Sequence, residues 1–295
     1  MKILLTGRAG QLGWELERTL SPLAEVMAFD RGGLDLADPR AIARVARAAK
    51  PQLIVNAAAY TAVDRAETES ESAHAINAVA PEILAREAGR LGAALIHYST
   101  DYVFDGNKAG AYDENDAANP AGMYGRSKLL GEQAIAASGV PHLIFRTSWV
   151  YSARGRNFLL TMLRLAREKP EIAVVADQFG APTWARMIAE ATAQVIARCG
   201  TAPDRIVETI RAQRGVYHLA AAGRTSWHGF AEALLREAGL ATPVRPIATS
   251  GYPLSAPRPM NSELSCLKLA ARFGIALPDW ETSMRLCLAE IEPRR

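Results

Sequence analysis

A tyrosine and a lysine four positions apart are the residues of this sequence best suited to acid–base chemistry. Tyr124 and Lys128 stand in the segment YGRSK, and Thr100 ends an apolar run 24 residues before Tyr124. On a helix, side chains at i and i+4 share one face, so the ammonium would lie one turn from the phenol. A lysine charge about 4 Å from a phenol lowers the phenol pKa by up to roughly three pH units. We therefore expect Tyr124 to protonate a substrate oxygen to which Thr100 also hydrogen-bonds.

Three glycines in TGRAGQLG form a motif that could bind a dinucleotide. Gly7 permits a tight turn after a strand, Gly10 lets backbone N–H groups approach a pyrophosphate, and Gly13 lets helix and strand pack closely. The G-x-x-G-x-x-G spacing is one residue longer at its first gap than the usual fingerprint, so the motif alone also allows a turn without a ligand. The Tyr-x-x-x-Lys pair is weak by itself as well. Its place after this motif and after a strand favours catalysis, with Lys128 also holding the nicotinamide ribose.

The end of the second predicted strand adds a carboxylate for the adenosine ribose. Asp30 lies 20 residues after Gly10, where it can accept hydrogen bonds from ribose hydroxyls. Arg31 would attract the 2′-phosphate that Asp30 repels, so both NADH and NADPH stay open as the cofactor. Asp35 and Leu36 are expected at the adenine.

The segment after the third predicted strand, NAAAYT, is expected to lie against the cofactor through Ala59, Tyr60 and Thr61. Small residues allow the backbone to approach a ligand closely. For alanines 57–59, close packing at a strand end would explain the composition equally well.

The elements that must position these residues alternate between strand and helix. Strands are predicted at 3–6, 25–30, 53–56, 94–99 and 142–146, and helices at 11–20, 39–49, 71–90 and 124–137. Short aliphatic runs of this kind are typical of strands buried on both faces of a parallel sheet. The predicted fold class is α/β, with a Rossmann-like, doubly wound parallel sheet.

A smaller, mostly helical C-terminal lobe for the substrate is predicted after Trp149. Further strands are expected at 172–175 and 216–219, and helices at 158–169, 184–199, 226–239 and 264–273. Residues 1–150, with returning segments near 177–220, are assigned to the NAD(P)-binding domain. Residues 151–176 and 221–295 are assigned to the substrate lobe. The proline-rich tract 243–259, which includes Pro253, is predicted to be an extended surface loop.

Composition excludes several classes of function. The net charge is +3 and the basic residues are scattered, so no phosphate-tracking stripe for nucleic acid is expected. Three widely spaced cysteines, without a C-x-x-C pair or paired histidines, predict neither disulfides nor a metal site. The N-terminus begins as a strand, and no apolar run reaches membrane-spanning length. We expect a cytoplasmic protein without membrane or nucleic-acid partners, either a monomer or a homodimer.

A series of motifs in one order resembles the extended short-chain dehydrogenase/reductase superfamily and, more closely, the dTDP-4-dehydrorhamnose reductase family. These motifs run over nearly the whole chain: TGRAGQLGWEL, NAAAYTAVDRAE, HYSTDYVFDG, YGRSKLLGE, FRTSWVY, DQFGAPT, VYHLAA and RPMNSEL. The resemblance implies NAD(P)H as hydride donor, Gln11 and Leu12 among the cofactor contacts, and Thr100, Tyr124 and Lys128 as the catalytic set. It also implies Thr100, Asp101 and Trp149 at the deoxysugar.

The reaction that this resemblance implies is reduction of the C4 ketone of dTDP-4-dehydro-β-L-rhamnose to dTDP-β-L-rhamnose, the last step of dTDP-L-rhamnose biosynthesis. Three alternatives remain open. One is a related nucleotide-sugar 4-ketoreductase that forms another epimer, and another is a sugar-nucleotide epimerase. The third is a non-catalytic nucleotide-binding regulatory subunit, against which the complete Thr, Tyr and Lys set argues.

Several other polar residues have two interpretations. Arg154, Arg156 and Arg258 could hold the substrate pyrophosphate, because an arginine fork matches phosphate geometry, or could simply be solvated. The segment 177–178 could face the ligand or form a plain turn. His97 and His218 are expected to be structural.

In some similar reductases the position of Glu15 helps bind magnesium between subunits. Here Arg186 stands where a further acid would be needed, with Glu190 as the nearest acidic candidate. No metal is therefore expected, and Glu15 is predicted to be a solvated helix carboxylate.

Overall fold

The computed structural model describes residues 1–252 and 254–291, which form twelve strands and twelve α-helices. The strands are β1 (Lys2–Thr6), β2 (Glu25–Phe29), β3 (Leu53–Asn56), β4 (Ala94–Thr100), β5 (His142–Thr147), β6 (Val150–Tyr151), β7 (Ile172–Val175), β8 (Phe179–Gly180), β9 (Thr183–Trp184), β10 (Gly215–His218), β11 (Thr225–Ser226) and β12 (Val244–Ile247). The helices are α1 (Gln11–Leu20), α2 (Pro39–Ala49), α3 (Val63–Ala66), α4 (Ser70–His74), α5 (Ala80–Leu91), α6 (Met123–Ala137), α7 (Phe158–Glu168), α8 (Ala185–Cys199), α9 (Pro203–Ala212), α10 (Trp227–Glu237), α11 (Leu267–Phe273) and α12 (Trp280–Ile291).

Six strands form one parallel sheet in the order β2-β1-β3-β4-β5-β10. The order reverses between β1 and β3, and helices cover both faces, so the predicted α/β fold class is confirmed. Alternate residues of each strand enter different cores: Leu4 and Ile54 pack on one face, and Ile3, Leu5 and Val55 on the other. This two-sided burial is why the strands appear in the sequence as continuous aliphatic runs.

The two helical layers follow from the same alternation. On one face α1, α8 and α9 bury Leu16, Ile188 and Ile206 against the sheet. On the other face α2 and α5 bury Ile42 and Leu84. Because the strands are parallel, their carboxyl ends meet at one edge of the sheet, where loops from several strands can share a site.

A third hydrophobic cluster, here called the C-terminal cluster, lies in the C-terminal part of the chain. It joins α7, α10 and α12 through Leu159, Phe230 and Met284, and adds Ile172 and Val174 of β7. The connection from β5 to β10 passes through α7 and α8 before the chain returns to the main sheet. None of the helices between residues 1 and 291, Pro253 aside, is both long and apolar enough to cross a membrane.

The structure corrects several predicted elements. The helix expected at 71–90 is interrupted by a π-helical turn, Ala75–Val79, between α4 and α5. α9 and α12 were not predicted, and α11 begins at Leu267 rather than at 264. Part of the proline-rich tract is not a loop, because β12 pairs in parallel with β7 alone. Pro246 is tolerated in β12 because an edge strand leaves one side unpaired; Pro253 lies outside the described residues.

Candidate active site

A cleft of about 900 Å³ opens at the carboxyl ends of β1, β3, β4 and β5. It spans the point where the strand order reverses, which is where open α/β sheets bind ligands. Every residue that the sequence predicts for the cofactor lines this cleft, except Gly13, and so do Thr100, Asp101 and Trp149. Its volume lies toward the upper end of the usual range for ligand pockets, roughly 300–1,000 Å³.

The glycine motif forms the turn from β1 into α1. Gly7 has a φ of +80°, and a Cβ there would lie 2.7 Å from the backbone nitrogen of Ala58. A Cβ on Gly13 would lie 2.0 Å from the carbonyl oxygen of Gly7, so Gly13 is a packing residue behind the cleft. Gly10 is the N-cap of α1 and supplies no capping side chain. The first N–H groups of the helix are thus available to an anion such as a pyrophosphate.

The acidic end of the cleft follows β2. Asp30 stands one residue beyond the strand, and its Oδ1 accepts a hydrogen bond of 3.0 Å from the N–H of Gly33. The side chain of Arg31 is 83% exposed, and its Nε lies 3.7 Å from Oδ2 of Asp35. Leu36 is buried in the core below. A carboxylate and a guanidinium therefore lie close together at the place that the sequence predicts for the adenosine ribose, and their contacts favour neither NADH nor NADPH.

The expected acid and its hydroxyl partner come from adjoining elements. Thr100 is the last residue of β4, and Tyr124 lies in the first turn of α6. The helix approaches closely because Gly125 has no Cβ; one added there would lie 2.0 Å from the carbonyl oxygen of Tyr102. The Thr100 hydroxyl donates to Oδ1 of Asp101 at 3.0 Å. The rings of Tyr102 and Tyr124 meet edge to face at 5.5 Å.

The protonation of Tyr124 and Lys128 differs from the expectation. Burial raises the pKa of Tyr124 to about 12, with the Thr100 hydroxyl acting in the opposite direction. Lys128 does not lower this pKa, because its Nζ donates to the carbonyl oxygen of Tyr98 at 2.6 Å and lies 3.2 Å from Nε2 of His97. Burial lowers the pKa of Lys128 itself to about 8. The phenol is therefore protonated at neutral pH, as a general acid must be.

Asp101 is a buried carboxyl group at the same edge. Burial raises its pKa to about 6, against the hydroxyls of Ser262 and Thr100, which lower it. Within the described ranges, its Oδ2 has no hydrogen-bond partner within 3.5 Å. A buried oxygen without a partner beside Thr100 can accept a hydrogen bond from a ligand.

Trp149 occupies an unusual backbone conformation at the cleft wall. Its φ of +48° is rare for a large side chain. Its indole stacks on that of Trp227 at 3.6 Å between ring centroids, and the absence of a Cβ on Gly180 leaves room for it. The N–H of Thr183 donates to its carbonyl oxygen at 3.1 Å. Contacts from α10 and β8 thus fix the indole, and a hydrogen bond from β9 fixes the backbone of Trp149.

The three candidate arginines separate in the structure. Arg156 lines the cleft, whereas Arg154 stacks on Trp14 at 3.3 Å. Arg258 is not in the lining; its Nη2 donates to Oδ2 of Asp64 at 2.6 Å, and Oδ1 of Asp64 accepts from the N–H of Ala256. Asp64 therefore ties the segment before Met260 to α3.

Glu15 is not solvated as expected. Its side chain is 4% exposed and forms an ion pair of 3.0 Å with Arg186, which also contacts Glu290. The burial follows from the packing of α1 against α8, which sequence periodicity does not show. In the described part of the chain, no group of three or more His, Cys, Asp or Glu side chains could hold a metal ion.

Asp177 and Gln178 do not line the cleft. The carboxylate of Asp177 accepts hydrogen bonds from the backbone N–H and the hydroxyl of Thr249, and Nε2 of Gln178 donates to the same hydroxyl oxygen. Of the two interpretations of this segment, the structure favours a turn that fixes a neighbouring loop.

Asn77 is a site residue that sequence reasoning missed. It lies in the π-helical turn, where its Oδ1 accepts from the N–H of Tyr60 and its Nδ2 donates to the carbonyl oxygen of Tyr60 and to Oγ of Ser127. This one amide joins the cleft segment after β3 to the helix that carries Tyr124 and Lys128. π-helical turns often mark functional sites, but nothing in the local sequence announces this one.

Comparisons with known proteins find a family and relatives over the full length of this chain. A family model described as the RmlD substrate binding domain matches residues 1–292. A dTDP-4-dehydrorhamnose reductase of Burkholderia thailandensis is 50% identical, with 99% of each chain covered. The enzyme of the same name from Escherichia coli K12 is 44% identical, with 99% of this chain and 98% of the relative covered.

A crystal structure of dTDP-4-dehydrorhamnose reductase from Bacillus anthracis, in complex with NADP, superposes with a TM-score of 0.90 at 33% identity. The match covers 98% of this chain and 99% of that one. The resemblance inferred from the motifs is thereby confirmed. The chain belongs to the RmlD substrate binding domain family, together with these dTDP-4-dehydrorhamnose reductases.

Proposed function

We propose that this protein is an NAD(P)-dependent oxidoreductase that reduces the C4 ketone of dTDP-4-dehydro-β-L-rhamnose to dTDP-β-L-rhamnose. The observation that carries the proposal is the meeting of Thr100, Tyr124 and Lys128 in the cleft that begins at the glycine turn. Relatives up to 50% identical over the full length carry the name of this enzyme. The reaction is the last step of dTDP-L-rhamnose biosynthesis.

Bound NAD(P)H would supply the hydride that reduces the carbonyl carbon. Tyr124 donates its proton to the ketone oxygen as negative charge develops there, and Thr100 hydrogen-bonds the same oxygen. A pKa of about 12 keeps the phenol protonated before the reaction, so it acts as an acid without prior activation. Lys128 holds the nicotinamide ribose.

The cleft suits a dinucleotide on structural grounds. The uncapped start of α1 offers N–H groups to a pyrophosphate, and the close approach at Gly7 would be lost if a Cβ were present. We assign Asp30 and Arg31 to the adenosine ribose, and Asp35 and Leu36 to the adenine, because all four line the cleft. We assign residues 1–150 and the returning segments near 177–220 to this binding function, and residues 151–176 and 221–295 to the substrate.

For the substrate, we assign Asp101 and Trp149 to the deoxysugar. We assign the pyrophosphate to Arg156, which lines the cleft, and to Arg258, which would have to exchange Asp64 for the phosphate. A cytoplasmic location is supported by the unpaired thiols of Cys199, Cys266 and Cys287. A monomer or homodimer is expected.

The proposal is tested by following NADPH absorbance after addition of the keto-sugar nucleotide. Tyr124→Phe removes only the acidic hydroxyl, so we expect the rate to fall at least a hundredfold while NADPH affinity stays within a few-fold. Tyr217→Phe is the matched control, because the Tyr217 hydroxyl is buried away from the cleft and donates to Gln213. Unchanged turnover in Tyr124→Phe would refute the assignment.

The same assay separates the other candidate functions. A reductase that forms another epimer would oxidise NADPH but give a different product. An epimerase would convert the sugar without added reductant. A regulatory subunit would bind nucleotide and show no turnover.

A further inference from the structure

A chain of buried polar side chains leads from Lys128 across three strands of the sheet. Nζ of Lys128 lies 3.2 Å from Nε2 of His97 on β4, and Nδ1 of His97 lies 3.0 Å from the amide nitrogen of Asn56 on β3. Oδ1 of Asn56 accepts a hydrogen bond of 2.6 Å from the hydroxyl of Thr6 on β1. The Thr6 oxygen also accepts from the N–H of Ala58, beside the glycine turn. His97 and Lys128 are 0% and 1% exposed.

The proton positions along this chain are coupled. When Nδ2 of Asn56 donates to Nδ1, a neutral imidazole carries its proton on Nε2 and donates it to Lys128. Lys128 can accept this hydrogen bond only as an uncharged amine, because an ammonium has no lone pair. When the Asn56 amide is turned over, its oxygen accepts from Nδ1–H, and the free Nε2 accepts from a charged ammonium. Each orientation of the amide thus goes with one charge of Lys128.

We propose that His97 is the positioning residue of Lys128, and that its tautomer, set by the Asn56 amide, changes when Lys128 gains or loses its charge. The inference rests on the proposed function, in which Lys128 holds the cofactor. It assigns a role to a histidine that sequence reasoning treats as structural. His97 acts through Lys128 and does not itself touch the substrate.

The charged groups around Lys128 leave its protonation state to be determined by the hydrogen-bonded series His97, Asn56 and Thr6. Burial and the Lys128 charge hold the pKa of His97 well below its usual range, so the ring stays neutral while Lys128 titrates. Glu132, one turn further along α6, favours the ammonium, but it is itself paired in a buried ion pair with Arg146 of β5. On the cleft side, the titratable side chains contributed by β4, the turn after it and α6 are Tyr98, Asp101, Tyr102 and Tyr124. Asn56 and Thr6, on the sheet side, are uncharged.

The direct test is a ¹⁵N NMR titration of histidine-labelled protein without substrate, from pH 7 to 10. We expect the proton of His97 to move from Nδ1 to Nε2 as Lys128 loses its charge, and the movement to be absent in Lys128→Met. A tautomer that stays unchanged over this range would overturn the inference. Because this measurement needs no turnover, it stands apart from the test of the proposed function.

The pH dependence of kcat/KM gives a second test, because variants of His97 and Asn56 should shift it in opposite directions. His97→Leu removes the acceptor at Nζ, so the alkaline limb of kcat/KM should move to lower pH by at least about half a unit, and His97→Gln should restore it. In Asn56→Asp both side-chain oxygens can only accept, so the His97 proton stays on Nδ1 and Nε2 stays free to accept from the charged Lys128. The alkaline limb of kcat/KM should therefore move to higher pH. His142→Gln is the control, since His142 is buried on β5 and contacts Val140 instead. Equal shifts in the control and in His97→Leu, or shifts of the same sign in His97→Leu and Asn56→Asp, would contradict the proposal.

Discussion

The indole of Trp149 lies face to face with that of Trp227, with 3.6 Å between ring centroids and 7° between planes. Trp149 belongs to the cleft wall, whereas Trp227 begins α10, packs against the C-terminal cluster and also contacts Phe158. The stack therefore links the wall of the proposed sugar site to the C-terminal helices. It also holds Trp149 in a backbone conformation that a tryptophan rarely adopts.

Removing this support should weaken substrate binding selectively. An aromatic pair contributes about 0.5–1.5 kcal/mol beyond its buried area, so Trp227→Ala should raise KM for the nucleotide sugar roughly three- to tenfold. NADPH affinity should stay unchanged, because Trp227 is outside the cleft lining. Trp227→Phe should lie between wild type and Trp227→Ala. Equal loss of affinity for sugar and cofactor would assign the stack to general stability instead.

The choice between NADH and NADPH should depend on the pair that follows β2. Asp30→Ala removes the charge that repels a 2′-phosphate, so the ratio of kcat/KM for NADPH over NADH should rise about tenfold. Arg31→Ala removes an exposed guanidinium from the same place, so the ratio should fall by a similar factor. Steady-state kinetics with both cofactors measures the two ratios. If both variants moved the ratio in the same direction, this assignment of the ribose site would be wrong.

A methyl group at position 13 should disrupt the nucleotide turn. In Gly13→Ala the Cβ would lie 2.0 Å from the Gly7 carbonyl oxygen, so β1 and α1 must separate. We expect lower thermal stability and a loss of NADPH binding of at least tenfold. Gly89→Ala is the matched control, because it adds the same atom to an exposed helical glycine with open space around it. That variant should be stabilised by roughly 0.5–1 kcal/mol.

The buried ammonium of Lys128 should cost stability at neutral pH. Its pKa is about 8 in the folded chain and near 10.5 when exposed, so between these values the unfolded state binds more protons. The free energy of unfolding of the wild type should therefore rise with pH relative to Lys128→Met, by on the order of 3 kcal/mol over the whole interval. Urea unfolding of both proteins at pH 7.5 and pH 10 measures the difference. A difference that is independent of pH would show that Lys128 is not desolvated.

The sequence predicted the strands and the turn that surround the site better than the side-chain contacts within it. Runs such as 53–56 and 142–146 showed the parallel sheet because strands buried on both faces must be apolar throughout. The glycine spacing located the turn from β1 into α1 because only a residue without Cβ fits at Gly13 and Gly7. Contacts between distant segments have no such local signature. Sequence periodicity therefore showed neither the Glu15–Arg186 pair nor the Asn77 bridge.

The expected effect of Lys128 on Tyr124 failed for a related physical reason. The i, i+4 spacing places both side chains on one face, but it does not reveal what else competes for the ammonium. The Tyr98 carbonyl oxygen and His97 bind the Lys128 side-chain nitrogen instead of Tyr124. Burial then has the largest effect on the pKa of the phenol.

Hydride transfer to C4, with protonation of the ketone oxygen by Tyr124, is tested most directly by NMR of the product formed from dTDP-4-dehydro-β-L-rhamnose and NADPH that carries deuterium at both C4 positions of its nicotinamide. The account predicts dTDP-β-L-rhamnose with deuterium at C4 in the wild type, and none above background in Tyr124→Phe. A product epimeric at C4 would contradict the proposed substrate geometry. Unreduced sugar together with unoxidised NADPH would contradict the proposed reductase activity.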